Sequence, residues 1–133
     1  MIAIDTNILV RYITQDDEPQ SKSAENLLSK YDRKSQSIFI NNIVLCELVW
    51  VLERGYKYSK EQIAATIRVI LSTAVFAFEH HNILWMALED YDHNKADFAD
   101  CLIAQLNKSQ GFHQTFTFDK SATKHNLFTL CNS

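Results

Sequence analysis

The chain has 133 residues, 47 % of them hydrophobic, 11 % aromatic and 22 % charged, with a formal net charge of −3. That composition excludes a disordered chain, and the length suits one domain over residues 1–133 with a core of its own. Only two glycines and one proline are present, which disfavours an all-β fold built on tight turns and favours helices joined by short polar links.

"MIAID" opens the chain as a short buried strand ending at Asp5, and Thr6 or Asn7 is placed to cap a helix with the apolar body Ile8, Leu9, Val10, Tyr12 and Ile13. After the polar link "TQDDEPQSK", the spacing of Ala24, Leu27, Leu28 and Tyr31 predicts an amphipathic helix from Pro19 to about Tyr31. "SIFIN" reads as a second strand. Asn41 and Asn42 then cap the helix "IVLCELVWVLERGY", which ends near Gly55. Ser59 and Gln62 form a capping box for a helix reaching about Thr73. "VFAFE" is a third strand, followed by helices over Ile83 to Tyr91 and Asp97 to Ser109. "TFTFD" and "LFTL" supply two more strands. Strands alternating with helices in this way imply an α/β fold with a mostly parallel sheet.

No stretch is apolar for long enough to span a bilayer, and the N-terminus lacks the basic-then-apolar pattern of an export signal. Cys46, Cys101 and Cys131 have no metal-type spacing and read as reduced, mostly buried thiols of a cytoplasmic protein. The five histidines are scattered, with "EHH" at Glu79 to His81 their only cluster, so a zinc site is not expected. Trp50 and Trp85 read as core or dimer residues rather than as platforms for bases, and Tyr12 as a core residue in preference to one bordering an RNA groove.

Carboxylates interrupt apolar patterns in four places. Asp5 ends the first strand and Asp119 the fourth. In a parallel α/β sheet, the carboxyl ends of strands are where ligands bind. Glu47 is the lone polar side chain from Ile43 to Leu52. A helix apolar on nearly every face is expected to be buried, so a carboxylate there needs a partner, a proton or a cation. Asp97 and Asp100, in "ADFADCLIAQL", share a helix face near its N-terminus. Each acid singly has a plain structural reading as a cap, a turn or an ion pair. Together, an all-oxygen cluster suits Mg²⁺ or Mn²⁺, ions able to assist phosphodiester hydrolysis.

"AIDTNILV", "NIVLCELVWVL", "DFADCLIAQL" and "TFTFD", in that order, resemble the PIN domain family, and within it the VapC-type ribonuclease toxins of toxin–antitoxin pairs. The resemblance covers nearly the whole chain. It implies a three-layer sandwich with a short, mostly parallel central sheet of about five strands flanked by helices. It also implies Mg²⁺- or Mn²⁺-dependent endonuclease activity on RNA, with Asp5, Glu47, Asp100 and Asp119 catalytic and metal-binding and Asp97 an additional metal acid. Thr6, Asn7 and Thr117 match the family's polar residues beside those acids, which implies a role in orienting the carboxylates or a metal-bound water. A homodimer and a small antitoxin partner are implied as well. Five of the 16 acids are then assigned to the site, leaving 11 against 13 basic residues, so the acidic total does not exclude RNA. Arg11, Lys95, Lys120 and Lys124 lie near the acidic motifs and are candidate phosphate contacts.

Two other readings remain open from the residues. One is an aspartate-dependent phosphatase with Asp5 as nucleophile, although "DTNIL" lacks the second aspartate of the haloacid-dehalogenase pattern, and a receiver domain leaves Glu47 unexplained. The other is a catalytically silent PIN-like module that binds a partner or dimerises.

Overall fold

The computed structural model describes residues 1–132. The chain divides into two compact units, Met1–Glu79 and the segment from His80 onward.

The first unit runs β1 (Ile2–Ala3), α1 (Thr6–Thr14), α2 (Glu18–Ser29), β2 (Ile38–Phe39), α3 (Asn42–Arg54), α4 (Lys60–Ser72) and β3 (Phe76–Ala77). Its three strands form a parallel sheet in the order β1-β2-β3, with Ile2 opposite Ile38 and Ile38 opposite Phe76. Each strand is joined to the next through two helices, the crossover that parallel pairing requires. The ladder continues just past the strand ends, where Ile4 N–H donates to Phe39 O at 3.2 Å and Ile40 N–H to Ala77 O at 2.9 Å. Ile4, Ile38, Ile40 and Phe76 are buried, as are Leu9, Leu45, Leu48 and Ile67 on the helices. The strands are shorter than the sequence suggests because β1 and β2 run almost at once into helix caps. Asp5 caps α1 and Asn41 caps α3, its Oδ1 accepting from Ile43 N–H at 2.8 Å.

Two local expectations are corrected. Asp5, rather than Thr6 or Asn7, is the N-cap of α1, with its Oδ1 accepting from Ile8 N–H at 3.1 Å. Helix α3 ends at Gly55, as expected, with φ −86°; a Cβ there would meet Val51 O at 2.9 Å, so close approach is what the glycine permits. Helix α3 is also not buried all round. Leu45, Leu48, Val49 and Leu52 form its buried stripe, while Ile43 is 68 % exposed, Trp50 60 % exposed, and Glu47 is exposed with them. The run "IVLCELVWVL" is apolar on two faces, but only one covers the core. The Ser59–Gln62 capping box of α4 forms as expected.

The second unit comprises α5 (His81–His93), α6 (Phe98–Ser109), β4 (Thr115–Thr117), a 3₁₀ turn at Ala122–Lys124 and β5 (Phe128–Leu130). Helix α5 packs on α6, with the Tyr91 and Phe98 rings edge to face at 5.9 Å. Beyond the end of α6, Gly111 adopts φ +92°, a left-handed step that turns the following N–H, that of Phe112, back to Asn107 O at 3.0 Å. Strands β4 and β5 pair in parallel, Thr115 opposite Phe128 and Thr117 opposite Leu130. All five described strands therefore lie in parallel ladders, three in one and two in the other, and helices flank them, which is the α/β class expected.

Candidate active site

The first unit brings Asp5 and Glu47 to one open cleft of about 550 Å³, lined also by Thr6, Asn7, Cys46, Trp50 and Val51. Asp5 reaches it because β1 ends there and the helix that follows uses only Oδ1 as its cap. Among the described residues the other Asp5 oxygen accepts no hydrogen bond. The Thr6 hydroxyl, on the next residue, donates to Glu47 Oε1 at 2.7 Å and ties the start of α1 to the middle of α3. Glu47 is exposed, so the expectation of a buried carboxylate in need of rescue does not hold; its position in the cleft rests on this hydroxyl instead. Cys46 beside it is half-buried, and burial together with the Glu47 charge pushes its thiol up to about 11. At neutral pH it is a thiol and not a nucleophile.

Asp5 and Asn7 also line a second cleft of about 700 Å³, with Ile4, Ile8, Gln20 and Leu27 among its walls. Arg11 lies there too, but its guanidinium is occupied. Nε donates to Gln20 Oε1 at 2.7 Å, and one terminal nitrogen reaches Asp16 Oδ1 at 3.0 Å and Tyr56 OH at 3.1 Å. The hydroxyls of Tyr56 and Thr14 hold the Asp16 carboxyl below the usual aspartate range.

In the second unit, Asp97 occupies the N-cap position of α6, but its side chain makes no capping bond. Asp100, one turn in, is half-buried. Burial, then the charges of Asp97 and Asp119, push its carboxyl above the usual aspartate range, with His125 opposing them. These three carboxylates thus share one electrostatic neighbourhood. Asp119 is shifted the other way, because its Oδ1 accepts from the Ser121 hydroxyl at 2.7 Å and the Ser121 N–H at 2.9 Å. Thr117 braces the main chain of Asp119, its hydroxyl accepting the Asp119 N–H at 3.0 Å. Lys95, Lys120 and Lys124 are exposed, and their ammonium groups make no ion pair among the described residues.

Two features escaped the sequence. The grip of Ser121 on Asp119 was legible in principle, since a serine two residues after an aspartate is a turn signature. The other is a buried network. His125, 2 % exposed, accepts the Leu127 N–H at Nδ1, so its Nε2 carries the proton and donates to Asp90 Oδ2 at 2.7 Å. Gln105 Nε2 donates to the same oxygen at 2.5 Å. No spacing in the chain links positions 90, 105 and 125. Trp50 and Tyr12 prove exposed, which takes both out of the core, and Cys131 is exposed where a buried thiol was expected.

Among the described residues, no three His, Cys, Asp or Glu side chains are disposed to hold a metal ion by themselves. Mg²⁺ needs no such cage, since it keeps several waters and binds through one or two carboxylates. The all-oxygen donors Asp5 and Glu47, and Asp97, Asp100 and Asp119, fit that requirement chemically.

The PIN domain family model matches residues 2–126. The chain belongs to the PIN domain family. It is 27 % identical over 130 residues to a protein named VapC ribonuclease from Aquifex aeolicus (strain VF5), an alignment covering 98 % of this chain and 96 % of that relative.

Proposed function

We propose that this protein is a metal-dependent endoribonuclease that hydrolyses RNA phosphodiester bonds, and that it is the toxin of a toxin–antitoxin pair. The observation that carries the reading is the open cleft holding Asp5 and Glu47, in a PIN-family chain that aligns along nearly its full length with a VapC ribonuclease. Asp5, Glu47, Asp100 and Asp119 are the carboxylates on which cleavage depends, with Asp97 in support. They would hold Mg²⁺ or Mn²⁺, which when bound offsets negative charge building on the phosphate and the leaving oxygen.

The chain's own groups do the positioning. The α1 cap bond fixes Asp5 and leaves one oxygen available. Thr6 orients Glu47, and Ser121 orients Asp119. Asn7, exposed and lining both clefts, offers an amide to a phosphate or a water. The free ammonium groups of Lys95, Lys120 and Lys124 suit the flanking phosphates, whereas Arg11 would have to leave its network with Asp16 to do so. The reading entails action on cellular RNA in the cytoplasm, inhibition by a small antitoxin and a homodimeric state. No described helix is long and apolar enough to cross a membrane.

The test is incubation of purified protein with a mixed RNA pool that includes tRNA, in Mg²⁺, in Mn²⁺ and in EDTA. Cutting in either metal that stops in EDTA is expected. Failure to cut in both metals, or a covalent aspartyl-phosphate formed from a phosphate donor, would overturn the reading.

A further inference from the structure

Trp50 is 60 % exposed, so most of the apolar area of a large ring is left in water, forgoing stabilisation that burial would bring. It lines the same cleft as Asp5 and Glu47. It follows Glu47 by one helical turn on α3, so both side chains share a face. A further turn on, the Arg54 guanidinium carbon lies 5.6 Å from the centre of the Trp50 ring, within cation–π range. Arg54 is itself exposed. The contact limits the indole's freedom and sets a positive charge beside it.

We propose that Trp50 is a stacking platform for an unpaired base of an RNA strand lying in this cleft, with Arg54 taking the phosphate next to that base. The proposal rests on the ribonuclease reading and adds to it the two residues that would hold one base and its phosphate in this cleft. An aromatic face next to a guanidinium matches the two parts of a nucleotide, base and phosphate. A base within an A-form duplex is already stacked on both faces and offers neither to an indole. A second copy docked on this face would bury the Arg54 and Glu47 charges with the indole, at a desolvation cost. A nucleotide uses the ring and the guanidinium directly and leaves Glu47 open.

The experiment uses the two tryptophans of the chain. In a Trp85→Phe, Asp5→Asn background, Trp50 is the only indole and cutting is blocked. Titration with unstructured oligouridylate should quench its fluorescence to saturation, at concentrations at least about tenfold lower than an RNA duplex requires. In the active protein, Trp50→Ala should raise KM for a single-stranded substrate roughly tenfold and change kcat less than about twofold, and Trp50→Phe should recover most of the loss. Arg54→Ala should also raise KM and flatten its salt dependence. No quenching, or an unchanged KM in Trp50→Ala, would overturn the platform. So would a Trp50→Ala protein that merely falls from dimer to monomer, since that marks an interface between copies. Quenching by oligouridylate from a protein that cuts nothing in any metal would support the platform and overturn only the ribonuclease reading.

Discussion

Asp100 and Asp119 belong to one cluster of carboxylates, yet their surroundings drive them in opposite directions. Burial and like charges raise Asp100, so the folded chain holds that proton more tightly than the unfolded chain does. Ionised Asp100 therefore subtracts stability above the ordinary aspartate range, and the loss disappears as pH falls through its raised value. Asp119 is depressed by the Ser121 bonds, so it adds stability at neutral pH that is lost as pH falls through its lowered value. At pH 7 without divalent metal, Asp100→Asn should melt higher than wild type, by roughly 1–3 °C, and Asp119→Ala lower. Thermal melts of the two variants check both signs, and a lower melt for Asp100→Asn would contradict the assignment of repulsion there. Cys46 gives a chemical test of the cleft. With its thiol pushed up to about 11 beside Glu47, it should resist iodoacetamide at pH 8 while exposed Cys131 reacts, as mapping of the labelled peptides would reveal. The positions of all these acids were legible in the sequence, because each interrupts an apolar pattern. Their environments were not. Glu47 looked buried because hydropathy alone does not separate a helix face that covers a core from one that lines a cleft.

At the scale of elements, the order of strands and helices followed from periodicity and caps, and the Ser59–Gln62 box came out as read. Strand length did not, since Asp5 and Asn41 turn the chain into helices sooner than the β-branched runs suggest. The segment between β4 and β5 was less legible still, being held by side chains far apart in sequence. His125, donating to Asp90 and accepting from Leu127, pins the chain just beyond the 3₁₀ turn to α5, and Gln105 of α6 shares the same carboxylate oxygen. Removing the imidazole leaves Asp90 with one buried donor fewer and the Leu127 N–H without its acceptor. His125→Ala should cost about 2 kcal/mol of stability, read as a lowered urea midpoint. A midpoint unchanged within error would mean that the network holds nothing in place.

At the scale of the whole molecule, four motifs in a fixed order carry the family resemblance, because an ordered set spanning the chain is far more specific than any one of its pieces. Family membership stands on the match over residues 2–126. The net charge of −3 was the misleading number: once the five candidate site acids are set apart, the remaining surface is weakly basic, so RNA binding should weaken as salt rises. The central claim is that cleavage depends on divalent metal and on four named carboxylates. The measurement that tests it most directly is Mg²⁺-supported RNA cleavage by Asp5→Asn, Glu47→Gln, Asp100→Asn and Asp119→Asn beside wild type, with circular dichroism confirming that each is folded. The account predicts loss of at least about a hundredfold in rate for every variant and no cutting by wild type in EDTA. Wild-type cutting that persists in EDTA, or a folded set of variants that cut as well as wild type, would contradict it.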